Sequence, residues 1–160
     1  MKSIKELAPN PNSTFKQGYF IPSNPHKYTG NISNIIYRSS WERIFMIMCD
    51  TNESVISWSS EPIAIPYVSP IDGKTHRYFV DFYYKFSDPD GTIKNFLVEI
   101  KPKNQTLFEM KNPGSFKTME RYRQHLETYV TNRAKWEAAE LYAKSIGFEF
   151  KVWTEENLGL

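Results

Sequence analysis

The sequence predicts an α/β domain: a mixed β-sheet, built from an antiparallel three-strand meander and a C-terminal strand, flanked by helices. Three observations predict it. Two turn signals, residues 69–74 (SPIDGK) and 87–92 (SDPDGT), separate three strand-like runs. Segments before and after those runs carry apolar residues at helical spacing. A last run, 148–153 (FEFKVW), alternates strictly and follows a helix, which suits a strand parallel to one in the meander.

In chain order, residues 1–34 are rich in Pro, Asn and Ser without periodicity and read as an extended N-terminal arm, leaving 35–160 as the folded domain. Ser39 followed by Glu42 is a capping-box pattern, and a helix is expected to run to about Asp50. Its inner face would carry Trp41, Ile44, Phe45 and Met48. Residues 62–68, 77–86 and 93–101 are the strands of the meander, closed by Pro102, which has no N–H for a ladder. Residues 103–114 read as a polar loop. A helix over 116–129 would present Met119, Tyr122, Leu126 and Tyr129. Thr131 or Asn132 would cap a second helix bearing Trp136, Ala139, Leu141 and Tyr142, with Gly147 just past its end.

Composition bounds the function. The chain has 160 residues, enough for one domain with a core. A net charge of +2 is too small to argue for nucleic acid by itself. The single cysteine, Cys49, excludes an intramolecular disulfide and reads as core packing, and His26, His76 and His125 have no zinc spacing. No run approaches the ~20 apolar residues of a membrane span, and no signal core opens the chain, so an intracellular protein without a membrane partner is expected.

The hairpin carries the chemistry. With the turn centred on Asp90, Val80 faces Ile100, Phe82 faces Val98 and Tyr84 faces Phe96, one continuous apolar face. That register sets Asp81 opposite Glu99 and Phe79 opposite Lys101. Glu99 and Lys101 share a face because side chains alternate along a strand. Opposed carboxylates repel, so a raised pKa, a neighbouring Lys101 or Lys85, or a divalent cation must offset them. Mg²⁺ suits one or two carboxylates with water and phosphate oxygens. A plain solvated face would not set Phe79 and Leu97 beside the acids. Two acids and a lysine on one hairpin point to phosphodiester chemistry.

Asp81, a gap of 17 residues and then Glu99-x-Lys101 resembles the core of the PD-(D/E)xK nuclease superfamily. Val80 stands where that pattern often has Pro. The segments NPHKYTGNISNIIYRSSWE, VISWSSEPIAIPYVSPIDGKTHRYFVDFYYKF and FLVEIKPK are similar to the head-completion nucleases of T4-like tailed phages, over about Asn24 to Glu155. The stretch NRAKWEAAELYAKSIGFEFKVWTEE is similar to the end of transposon-type endonuclease domains.

The resemblance implies a restriction-endonuclease-like core and Mg²⁺-dependent hydrolysis of DNA, endo- and exonucleolytic, with Mn²⁺ as a substitute. It places this late in head morphogenesis, before the tail joins. Double-stranded DNA and phage head, portal or connector proteins would be the partners, in the host cytoplasm or retained in the virion head. Asp81 and Glu99 would ligate the ion, with the Ile100 carbonyl as a backbone ligand, and Lys101 would stabilise phosphate charge or orient water. Glu42 would add a further catalytic acid, and Glu61 and Lys135 would stand behind the ligands. Arg38, Lys103, Lys111, Lys117, Arg121, Arg123 and Arg133 would meet phosphates. The alternatives are a structural head-completion or connector-binding protein with a vestigial site, and a DNA-binding accessory module.

Overall fold

The computed structural model describes residues 17–106 and 118–160. Its centre is a four-stranded sheet in the order β3 (Val55–Ser60), β6 (Phe82–Ser87), β7 (Ile93–Ile100), β8 (Glu149–Trp153). β3 and β6, and β6 and β7, pair antiparallel, and β8 runs parallel to β7. A parallel neighbour requires a crossover. The crossover contains the long helix Met119–Ser145.

The expected register holds as far as Phe82–Val98 and Tyr84–Phe96, but the expected pairs Val80–Ile100, Asp81–Glu99 and Phe79–Lys101 do not form: Phe79 pairs with Ala64, and Val80 and Ile100 pack in different core clusters. The expected strand 77–86 is, however, two strands. β5 (Thr75–Phe79) pairs with β4 (Ala64–Val68) in a separate two-stranded ribbon, and β6 pairs with β3. The chain bends at Val80 and Asp81 between them. The third antiparallel strand is therefore β3 rather than residues 62–68. The bend is held by Asp81 itself, whose carbonyl accepts the Glu61 N–H at 2.8 Å and whose carboxylate accepts the Ile100 N–H at 2.8 Å.

Each face of the sheet is covered. Even-numbered residues of β6 and β7 (Phe82, Tyr84, Phe96, Val98, Ile100) pack with Phe45, Met46 and Cys49 of α1 (Ser40–Thr51). The predicted inner face of α1 is thus turned by about one position, though Trp41 and Met48 still touch the core from its edge. Leu97 and Val80 pack with Trp136, Ala139 and Ala143 of α3 (Met119–Ser145). Between them runs a short helical turn, α2 (Lys103–Thr106).

α3 replaces the two helices expected from the sequence. Thr118 is its N-cap, accepting the Arg121 N–H, and Thr131 and Asn132 lie inside it. Between Met119 and Ser145 there is no Gly or Pro to break it. Asn132 is buried, so packing outweighs its capping preference. The helix ends as expected: Gly147 has φ +75°, its N–H meets the Lys144 carbonyl, and the Phe148 N–H reaches back to Ala143 at 2.8 Å. The expected stripe at Met119 and Leu126 is exposed. Among the described residues, no helix is long and apolar enough to cross a membrane.

Residues 17–34, expected to belong to an extended arm, are part of the packed domain. β1 (Gly18–Tyr19) pairs with β2 (Ile36–Tyr37), and Phe20 is buried with its ring 5.7 Å from that of Trp58. The buried Asp50 carboxylate accepts the backbone N–H groups of Ser23 and Asn24 at 2.8 and 3.0 Å. The buried Lys27 ammonium donates to the carbonyls of Asp50 and Asn52 at 3.0 and 2.8 Å, capping the C-terminus of α1. Residues 1–16 lie outside the described residues, as does most of the expected loop 103–114.

Candidate active site

The site forms where β6 and β7 part. The β6–β7 ladder ends at Phe82–Val98, and the freed N–H of Ile100 turns to Asp81 Oδ2. In an extended strand the N–H and C=O of one residue leave on the same side. The Ile100 carbonyl therefore faces the gap that Asp81 fills. On the other edge of β7 the Lys101 N–H bonds the Trp153 carbonyl at 2.9 Å, so β8 fixes the strand end from behind.

Glu99 is buried, and both its oxygens are engaged. Oε2 accepts from the Tyr78 phenol at 2.6 Å, and Oε1 lies 3.2 Å from the Lys101 ammonium. Glu42 stands in the first turn of α1. The Ser39 hydroxyl caps its N–H at 3.1 Å, and its own Oε2 accepts the Arg38 N–H at 2.7 Å. The reciprocal bond of a capping box is made one residue upstream of its usual place. Arg38 in turn lies 3.9 Å from Glu61. Glu61 has φ +45°, the one non-glycine in the left-handed region among the described residues. Such strain persists where neighbours hold it, here through the bond to the Asp81 carbonyl.

Electrostatics mark this cluster. Burial, then the charges of Glu99 and Glu42, pushes the Asp81 carboxyl well above its ordinary range, against the pull of the Ile100 N–H and Lys101. Burial also raises Glu42, against the Arg38 N–H and guanidinium, while Glu61 and Glu99 add to the rise. Burial acts to lower Lys101, but the charges of Glu99, Asp81 and Glu42 outweigh it and leave the ammonium above its ordinary value. Three acids therefore converge on one lysine, with Arg38 at the rim.

Among the described residues, no three His, Cys, Asp or Glu side chains gather as a ready ligand cluster for an ion. Two carboxylates and a backbone carbonyl, with water and phosphate oxygens completing the shell, are nonetheless what Mg²⁺ accepts. The excess of acid at Asp81 fits such a cation.

Other expected positions are scattered. Lys135 lies 5.7 Å from the ring centres of both Tyr67 and Tyr78, and so stands behind Glu99 through Tyr78. Lys103 is bound into the turn after β8, its ammonium against Glu156 and its N–H on Glu155. Arg123 pairs with Glu120 at 2.9 Å and Arg133 with Glu137 at 3.9 Å, while Arg121 is exposed on α3. Lys111 and Lys117 lie outside the described residues. Tyr78 was not singled out by its sequence, since a tyrosine in an aromatic strand reads as core. Its one signal is its place in the run that leads into Asp81.

An acid at a strand bend, an acid and a lysine two apart on the next strand, and a helix acid above them define an endonuclease domain of the PD-(D/E)xK type. The family of TnsA-like endonuclease N-terminal domains matches residues 52–155, which takes in Asp81, Glu99 and Lys101 and leaves Glu42 upstream. The chain is also 37% identical over 143 residues to the head completion nuclease of Enterobacteria phage T4, across 88% of this chain and 92% of that protein. The chain belongs to this family of head completion nucleases, built on a TnsA-like endonuclease domain.

Proposed function

We propose that this protein is a Mg²⁺-dependent deoxyribonuclease that acts on double-stranded DNA during late phage head assembly, before the tail is joined. The observation that carries the chemistry is the convergence of Asp81, Glu99 and Lys101 at the open end of β7. The relative's name carries the setting.

Asp81, Glu99 and the Ile100 carbonyl would hold the ion, with Mn²⁺ as a substitute. When bound, the ion supplies a Lewis acid for the phosphoryl oxygen and a water of lowered pKa. The rest falls to the chain. The acids around Lys101 keep it protonated, so it serves as a fixed positive charge for the phosphate in the transition state rather than as a base. Glu42, anchored by the Arg38 N–H, would orient water. Arg38 at the rim and Arg121 on α3 would meet the DNA backbone, a sequence-independent contact. The protein would cut both internal bonds and ends, and meet portal or connector proteins in the host cytoplasm or in the virion head.

The test incubates the protein with linear and supercoiled DNA, with Mg²⁺ or with EDTA, beside Asp81→Ala. Cutting that needs Mg²⁺ and is lost in the variant is the expected result. DNA retention without cutting would favour the accessory binding module, and neither activity would leave the structural role.

A further inference from the structure

We propose that Tyr78 is a positioning residue that acts through Glu99, holding one carboxylate oxygen so that the other is presented to the cation. The proposal rests on the metal-dependent reading above.

The two partners of Glu99 are unlike. Tyr78 is buried on β5, with 4% of its surface exposed, and its hydroxyl reaches Oε2 at 2.6 Å. Its ring packs in the cluster of Ile65, Val80, Leu97 and Trp136, so the phenol has little freedom to leave. Lys101 is about a third exposed, on a flexible stem, and sits 3.2 Å from Oε1. Of the two contacts, the ammonium is the one that can give way to an incoming cation. The phenol remains, and fixes the carboxylate plane.

The ribbon β4–β5 thereby gains a purpose in the chemistry. It lies outside the central sheet, yet Tyr78 ties it to the end of β7. Lys135 of α3 adds a cation–π contact to the same tyrosine, 5.7 Å from the Tyr67 and Tyr78 ring centres. Partners behind a ligand typically change metal affinity or activity ~10–100-fold when removed.

Tyr78→Phe keeps the ring and deletes the hydroxyl. Mn²⁺ is titrated into the DNA-free protein and the free ion is read by electron paramagnetic resonance. The expected result is a Kd weakened about tenfold, a matching rise in the Mg²⁺ concentration for half-maximal cutting, and an unchanged KM for DNA. In the Glu99→Gln background the same substitution is expected to change Mn²⁺ affinity no further. An unchanged Mn²⁺ Kd in a folded Tyr78→Phe protein would overturn the proposal, as would an equal loss in the Glu99→Gln background. A parent protein that neither binds Mn²⁺ nor cuts would instead overturn the reading on which it rests.

Discussion

Asp81 shows how one side chain serves fold and chemistry together. Its oxygen replaces a strand partner for Ile100, and the same carboxylate is crowded by Glu99 and Glu42. Because its pKa is raised on folding, the metal-free native protein holds, between the unfolded and folded values, a proton that the unfolded chain has released. Stability from this group is present below the unfolded value and falls as pH rises through the window up to the folded value. Asp81→Asn keeps an oxygen for the Ile100 N–H and removes the charge. Thermal melts in EDTA should show the variant more stable than the parent at pH 7–8, with the gap closing as pH falls toward the ordinary Asp range. Mg²⁺ should raise the melting temperature of the parent and not of the variant. Spacing suggested Asp81 beside Glu99, but the two are not a ladder pair: the register stops at Phe82–Val98, and Asp81 meets the next strand through the Ile100 N–H. Tyr78 was not legible, because its phenol meets Glu99 only through the folding of a separate ribbon.

At the scale of elements, the sequence was most readable where a local rule acts alone. Ser39, Gly147 and the β6–β7 register obey such rules. Gly147→Ala should cost about 1–2 kcal/mol, since a Cβ disfavours positive φ, and lower the melting temperature by about 2–4 °C per kcal/mol at this size. A drop below 1 °C in calorimetry would contradict that account. Where burial competes with propensity, the local reading failed. Thr131 and Asn132 look like a cap but lie within α3, because Asn132 packs inward and no breaker interrupts the helix. The bend at Val80–Asp81 was hidden for a related reason: both halves of 77–86 are good strand sequence, and only the partners β3 and β4 divide them.

The whole molecule is closed by contacts far apart in the chain. The Pro- and Asn-rich segment reads as loose by composition, yet Asp50, Lys27 and Phe20 bind it to α1 and β3. Such side-chain-to-backbone contacts leave no periodic trace, which is why the boundary at residue 34 was misplaced. Asp50→Ala would leave two amide N–H groups without their acceptor, at about 1–3 kcal/mol each. Limited proteolysis should then cut within 17–34 under conditions where the parent resists, with a lower melting temperature. Equal resistance in the two proteins would show that the segment is held by its apolar anchors alone.

The tie between Lys101 and Trp153 joins the site to the most distant part of the chain. Synthesis delivers Asp81, Glu99 and Lys101 well before the strand that braces them. A nascent chain thus carries every reactive group but not yet the backing that holds them in place. The end of the central strand is therefore braced only once the final strand of the sheet has been added.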